Sequence, residues 1–162
     1  VDLSIEHALE TAEILNAIYP DVIKIRSLGI SPSTELAHWQ ARGMFEKPGD
    51  AMIAAEVRLM LETLDNIQSR IKSDHILNLF ETVTGKMPRD KEKMIGVIDR
   101  FFNLAPKDRI LYQIGRRMGF FKGLEDMDTS SRMDQVRIAC KNYGVTLKNV
   151  DQILDRLMMR FV

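Results

Sequence analysis

Apolar residues recur three and four positions apart along nearly the whole chain, which is the spacing of one face of an α-helix. The pattern begins over residues 4–19, with Ser4 as a plausible N-cap. The apolar face of this segment consists of Leu9, Ala12, Leu15 and Tyr19. No segment shows the strict alternation that is typical of a half-buried β-strand. The pattern therefore predicts an all-α protein: a single compact multi-helix bundle of about seven to eight helices.

Turn residues divide the remaining helical pattern into further segments. Pro20-Asp21, Gly29, Pro48-Gly49, Gly85 and Gly144 are the interruptions. Helices are predicted over residues 22–27, 32–47, 50–71, 74–84, 88–104, 105–118, 130–144 and 146–161. The loops between them are too short to act as flexible linkers. We therefore expect one helical domain over 1–162, with a subdivision near 85–88 as the alternative.

The strongest predicted helix covers residues 50–71 and carries a heptad seam. Its apolar residues are spaced 4, 3, 4, 3 and 4 apart. These residues are Ile53, Val57, Met60, Leu64, Ile67 and Ile71. A seam of this kind packs along its length against another helix. The partner helix could lie within the chain or in a homodimer, so Ile53, Val57, Met60, Leu64 and Ile67 are predicted interaction residues.

Composition limits the class of protein without naming a function. Apolar residues make up 45% of the 162, enough to bury a core. No apolar run approaches the roughly 20 residues of a membrane helix, so no membrane insertion is expected. The single cysteine, Cys140, cannot form an internal disulfide, which favours an intracellular, cytoplasmic location. Because the first residue is Val, we expect a processed chain or a fragment that has lost any targeting signal.

Charge is divided unevenly along the chain, although the net formal charge is zero. Residues 1–85 hold 7 Lys and Arg against 13 Asp and Glu, a net charge of −6. Residues 86–162 hold 16 against 10, a net charge of +6. The basic C-terminal half could face an anionic partner such as nucleic acid, or the two halves could simply attract each other.

No pattern of catalytic residues is found, so we expect a protein that is not an enzyme and binds no cofactor or metal. The three histidines, His7, His38 and His75, lie in different segments and have no second ligand at helical spacing. Cys140 falls on an apolar stripe with no neighbouring base. An EF-hand-like run from Asp126 lacks the required glutamate, since Arg137 occupies the twelfth position.

The C-terminal segment 140–157 resembles the helix-turn-helix of bacterial DNA-binding regulators. The resemblance rests on a small residue four before a turn glycine and on apolar residues after it. Those residues are Cys140, Gly144, Val145, Val150 and Ile153. In such a motif the second helix enters the major groove. The resemblance implies that Thr146, Lys148, Asn149 and Gln152 would face bases or phosphates and that Lys141 would contact the backbone.

Two functions remain open at this point. The first is a non-catalytic helical binding module that acts through protein–protein contacts, as an adaptor, assembly factor or effector domain. Trp39, the only tryptophan, would be either a core anchor or a hot-spot residue of that surface. The alternative is a DNA-binding transcriptional regulator that uses the C-terminal segment. A protein partner is the leading expectation, and its identity is open.

Overall fold

Helices make up most of the computed structural model, which describes residues 2–161. In that range there are seven α-helices: Asp2–Ile18 (α1), Glu35–Ala41 (α2), Asp50–Thr63 (α3), Lys91–Asn103 (α4), Pro106–Arg117 (α5), Ser130–Asn142 (α6) and Val150–Met158 (α7). Two short 3-10 helices cover Leu124–Asp128 and Met159–Phe161. Three short strands are also present: Val22–Lys24 (β1), Arg70–Lys72 (β2) and Gly85–Lys86 (β3).

The strands form a small sheet in the order β1-β2-β3, so the prediction of an all-α protein is wrong in part. β1 runs parallel to β2, with Ile23 opposite Ile71, and β2 runs antiparallel to β3. Residues 22–27 were predicted to be helical, yet Ile23 is buried between exposed Val22 and Lys24. This alternation is the pattern of a strand with one face on the core. It was missed because it extends over only three residues.

Helix α3 ends at Thr63, so the prediction of a helix to Ile71 is also wrong. The side chain of Asn16 in α1 explains where α3 stops. Its Oδ1 accepts a hydrogen bond from the Asp65 amide at 3.0 Å, and its Nδ2 donates to the Thr63 carbonyl at 3.3 Å. Asn66 then takes a left-handed conformation, with φ of 54°, and turns the chain. Ile67 and Ile71 still enter the core, but from a loop and from β2.

Residues 74–84 are irregular, contrary to the predicted helix. Buried Asn78 ties this segment to the end of β1. Its Nδ2 donates to the Ile25 carbonyl at 2.9 Å, and its Oδ1 accepts from the Ser27 amide at 2.8 Å. Four of its apolar side chains point into the core: Leu77, Leu79, Phe80 and Val83. The apolar residues of this segment therefore belong to a buried loop. Its backbone N–H and C=O groups need hydrogen-bond partners that a helix would otherwise supply.

Two adjacent arginines supply those partners. The Arg116 guanidinium donates to the carbonyls of Asn78 at 2.9 Å and Leu79 at 3.0 Å. The Arg117 guanidinium donates to the Leu77 carbonyl at 2.6 Å and forms an ion pair with Asp50. Both arginines are buried, so their part in the fold is to satisfy loop carbonyls from the end of α5.

The core is one continuous cluster of buried side chains that extends from Ala12 to Leu157. α1 packs on α3, α3 packs on α4, and α5 packs on both α6 and α7. At its centre the ring of Phe80 lies 5.4 Å from Phe101 and 6.0 Å from Tyr112. Ile23 and Ile71 add the inner face of the sheet to this cluster. The opposite face of the sheet is therefore the outer one.

Of the two C-terminal helices, α6 lies within the predicted range 130–144, whereas α7 begins at Val150, four residues after the predicted start at 146. α6 and α7 are separated by a turn in which Gly144 has φ of +59°, a conformation that favours glycine. The Val145 amide donates to the Cys140 carbonyl at 2.9 Å across this turn. Thr146, Lys148 and Asn149 therefore lie in the connection before α7 and not within the helix that the resemblance implies.

Candidate functional site

An apolar groove of about 480 Å³ lies between α1, β1 and α3. Its walls come from three apolar stretches of the chain. The apolar residues that line it include Leu15, Ile18, Ile23, Ile53, Val57 and Met60. Ala8 and Ala12, which are buried, bring α1 close to α3, because small side chains allow helices to approach. Past this contact the two helices leave the groove open beside β1.

The groove is bordered by a strand edge that has no partner strand in residues 2–161. The Arg70 amide donates to the Asp21 carbonyl at 2.8 Å, and the Ile25 amide donates to the Lys72 carbonyl at 2.9 Å. Since backbone groups alternate in direction along a strand, those of Val22 and Lys24 point away from β2. The two residues thus present free N–H and C=O groups along the groove.

Apolar side chains also extend from the groove onto its rim. Ile18, at the end of α1, is 65% exposed, and Val22 is also exposed. Ile14, one turn before Ile18, is exposed as well. A contiguous exposed apolar area next to an apolar groove is typical of a surface that another molecule covers.

Charged residues also line the groove. His7 Nδ1 lies 3.9 Å from Glu56 Oε2, and the Ser4 hydroxyl donates to Glu56. Lys24 and Arg26 contribute from the β1 segment. Arg26 Nη1 lies 3.1 Å from Asp74 Oδ1, and this hydrogen bond lowers the pKa of the Asp74 carboxyl. The Lys24 ammonium forms no ion pair within residues 2–161.

The predicted interaction residues are divided between groove and core. Ile53, Val57 and Met60 line the groove on the α3 side. Leu64 and Ile67 are buried in the core, so they do not contribute to any exposed surface. Trp39 lies on α2, away from the groove, and is 42% exposed.

We found no match to the chain among protein family models, curated proteins or solved structures.

The residues implied by the helix-turn-helix resemblance lie at the opposite end of the chain. Thr146, Lys148 and Gln152 are exposed, and so is Lys141. The Asn149 side chain is used locally: its Oδ1 accepts from the Thr146 amide at 2.7 Å, and its Nδ2 donates to the Gly144 carbonyl at 3.0 Å.

Acidic residues of α7 face the segment that precedes α3. The Asp155 carboxylate forms an ion pair with Lys47, whose side chain is largely buried. Burial and the nearby carboxylates of Asp50 and Asp155 raise the pKa of Asp151. The α7 helix therefore carries unfavourable negative charge close to where the resemblance would place DNA phosphates.

The groups considered for catalysis do not come together. Burial raises the pKa of the half-buried Cys140 thiol, which holds it in the protonated, less nucleophilic form. Across residues 2–161 there is no group of three or more His, Cys, Asp or Glu side chains placed to hold a metal ion. In the same range no helix has the length and apolar character needed to span a bilayer.

Sequence reasoning missed the strand edge because the segment was predicted to be helical. A signal was available in Val22-Ile23-Lys24-Ile25, where β-branched residues are enriched. Alternation over so few positions is a weak signal by itself. Only the pairing with β2, which is distant in sequence, identifies the segment as an edge strand.

Proposed function

We propose that this protein is a non-catalytic binding module that holds an extended segment of another protein in the groove between α1, β1 and α3. The observation that carries the proposal is the position of the apolar groove directly beside the unpaired edge of β1. Each feature alone has other uses. Together they match the two parts of a polypeptide ligand, its backbone and its side chains.

The β1 edge determines what kind of ligand fits. An extended polypeptide would pair its own N–H and C=O groups with those of Val22 and Lys24, as an added strand does. Every second side chain of such a segment would point toward the core side of the sheet. On that side lie the groove residues Ile18, Val57 and Met60. The segment would therefore satisfy the backbone groups and fill the apolar groove at the same time.

The exposed apolar rim supports the same proposal energetically. Covering apolar surface contributes roughly 25 cal/mol for each Å² removed from water. Ile14, Ile18 and Val22 offer such surface without moving the backbone.

The helix-turn-helix-like segment supports the DNA-binding alternative less well. The Asn149 amide already makes two local hydrogen bonds. Asp151 and Asp155 add negative charge to α7. DNA binding through this segment is therefore the alternative function.

The test is a selection from a phage library of random peptides, followed by fluorescence anisotropy with the selected peptides. We expect the protein to select peptides with alternating apolar residues. An Ile18→Lys variant should bind these peptides at least about tenfold more weakly, because a charged side chain would then occupy the rim of the groove. Ile18 is 65% exposed, so the substitution leaves the core intact.

The matched control is Ile138→Lys. Ile138 is an isoleucine on α6 that is 60% exposed and does not line the groove. The control should bind the selected peptides with the affinity of the wild-type protein. Failure to select any peptide, or equal losses in both variants, would rule the proposed function out.

A further inference from the structure

The outer face of the sheet carries a row of cations. Strand register places Lys24 opposite Lys72, and Arg70 opposite Lys86. Paired residues share a face of a sheet, and residues two apart on a strand do as well. The four side chains therefore lie on one face, opposite the buried Ile23 and Ile71. This cluster of Lys24, Arg70, Lys72 and Lys86 is called the basic sheet face below.

None of these four cations makes a direct ion pair within residues 2–161, although the Lys24 charge helps to lower the pKa of the nearby Asp74 carboxyl. They are absent from every ion pair that the structure forms there. The nearby acids have other partners. Asp74 is hydrogen-bonded to Arg26, and Asp90 Oδ2 lies 2.8 Å from Arg89 Nη2. Asp90 also accepts from the Lys86 backbone amide at 2.8 Å.

Like charges directly opposite one another destabilise a strand pair. The basic sheet face contains two such pairs, and the repulsion would be relieved by an anionic partner. Parallel strands are also usually covered on both faces, whereas here the helices cover one face only. Both features indicate that this face is completed by something negatively charged.

The basic sheet face is continuous with the groove through Lys24. This residue lines the groove, belongs to the free edge and stands on the outer face. In a strand added to β1, alternate side chains would enter the groove, and the others would stand beside Lys24 on the outer face. Directly opposite side chains have Cβ atoms about 5 Å apart, which is within reach of an ion pair.

We propose that the segment bound by this protein is acidic as well as apolar: alternate residues fill the groove, and the residues between them are Asp or Glu that contact the basic sheet face. This inference rests on the proposed function, since it assigns the chemistry of the segment bound there. The partner is a polypeptide, because the free edge of β1 beside the cations offers backbone N–H and C=O groups. An added strand can pair with both kinds of group, whereas a phosphate chain cannot.

The experiment is a charge reversal in both partners. Lys24→Glu should weaken binding of a selected acidic peptide about tenfold or more, because like-charge contacts oppose association. A peptide in which Lys replaces the acidic residues should bind the Lys24→Glu variant with restored affinity. The same peptide should bind the wild-type protein poorly. Lys72→Glu, tested separately, should act in the same direction but less strongly, because Lys72 is one strand farther away.

The matched control is Lys107→Glu, an exposed lysine of α5 that forms no ion pair in the described part of the chain and lies outside the groove. It should leave peptide affinity unchanged. Wild-type affinity of the Lys24→Glu variant for acidic peptides would overturn the inference. If Ile18→Lys still abolished binding in that case, the groove function would stand and only the acidic chemistry would be lost.

Two other anionic ligands are tested with the same variants. The probes are a single-stranded oligonucleotide of deoxythymidine and vesicles of phosphatidylserine in phosphatidylcholine. The inference predicts that both bind more weakly than the acidic peptide at the same ionic strength. Tighter binding of either probe, lost in Lys24→Glu, would assign the basic sheet face to phosphate groups and overturn the proposal.

Discussion

Arg116 and Arg117 fix the irregular segment 74–84 against the end of α5. Through Nε, Nη1 and Nη2, Arg116 donates to the carbonyls of Leu79, Phe121 and Asn78. It also contacts the Glu81 carboxylate at 3.0 Å. A basic pair near a helix end suggests, from sequence alone, a contact with the helix dipole. In the structure these side chains instead donate hydrogen bonds to carbonyls of the irregular segment 74–84.

We predict that Arg116→Ala lowers the free energy of unfolding by about 3–5 kcal/mol, because it leaves buried carbonyls and a carboxylate without a donor. Urea denaturation followed by circular dichroism measures the change. Arg156→Ala is the control, since Arg156 is exposed and makes no ion pair in residues 2–161; it should change stability by less than about 0.5 kcal/mol. Similar losses in both variants would contradict the assigned role of Arg116.

Asp151 gives a prediction that depends on pH. Its pKa is raised by burial and by the carboxylates of Asp50 and Asp155, so its protonated form favours the fold. The stabilising contribution of the protonated form is present below the unfolded pKa, near 3.9, and is lost as pH rises through the folded value. Asp151→Asn should therefore raise the melting temperature at pH 7 slightly, because solvent screens the repulsion at this exposed side chain.

The gain from Asp151→Asn should shrink as pH falls through the raised pKa of the folded state, because the wild-type side chain becomes increasingly protonated. Differential scanning calorimetry across this pH range measures it. Asp21→Asn serves as the comparison, since the Asp21 side chain is exposed and forms no ion pair within residues 2–161. A gain for Asp151→Asn that does not depend on pH would mean that charge is not its cause.

Among the secondary-structure elements, the longer and more regular helices are predictable from apolar spacing. α4 and α5 bury the apolar residues that the spacing identifies, among them Met94, Phe101 and Ile114. The sheet is not predictable in this way, because each of its strands has two or three residues and is defined by partners distant in sequence. The heptad spacing over 50–71 continues past Thr63 although the helix does not, since a loop and a strand can also place Ile67 and Ile71 in the core.

Two glycines inside helices offer a matched test of packing. A Cβ at Gly115 in α5 would lie 2.1 Å from Cδ2 of Phe121, whose ring is fully buried. A Cβ at Gly96 in α4 would meet no atom within 4 Å. We expect Gly115→Ala to destabilise the protein by about 1–3 kcal/mol through overpacking. Gly96→Ala should stabilise it by up to about 1 kcal/mol, because alanine favours the helix.

Thermal unfolding of the two variants beside the wild-type protein measures both effects in one experiment. The opposite signs are the essential result. If both variants were stabilised, the close packing of α5 on Phe121 would be incorrect. If both variants were destabilised, the open space beside Gly96 would be incorrect.

For the whole molecule, the sum of charge along the sequence is a poor guide to the surface. Three of the four cations on the basic sheet face, Lys24, Arg70 and Lys72, come from the half of the chain with net charge −6. Several cations of the basic half are internal or paired, as Arg116 and Arg117 are. Only strand register brings the unpaired cations together, and register cannot be derived from composition.

The candidate site was likewise predictable in part. The spacing on α3 identified Ile53, Val57 and Met60, which line the groove. The other seam residues, Leu64 and Ile67, are used inside the chain, so a homodimer through the whole seam would require them to leave the core. The β1 wall could not be found from helical spacing. Both the homodimer and the single-domain organisation remain predictions.

The central claim is that an extended protein segment pairs with β1 and fills the groove between α1 and α3. Amide hydrogen exchange, measured by NMR on the full chain with and without a saturating selected peptide, tests it most directly. The claim predicts that the Val22 and Lys24 amides, which point away from β2, become protected on binding, while the already paired Ile25 amide changes little. Bound peptide that leaves the Val22 and Lys24 amides exchanging as fast as in the free protein would contradict it.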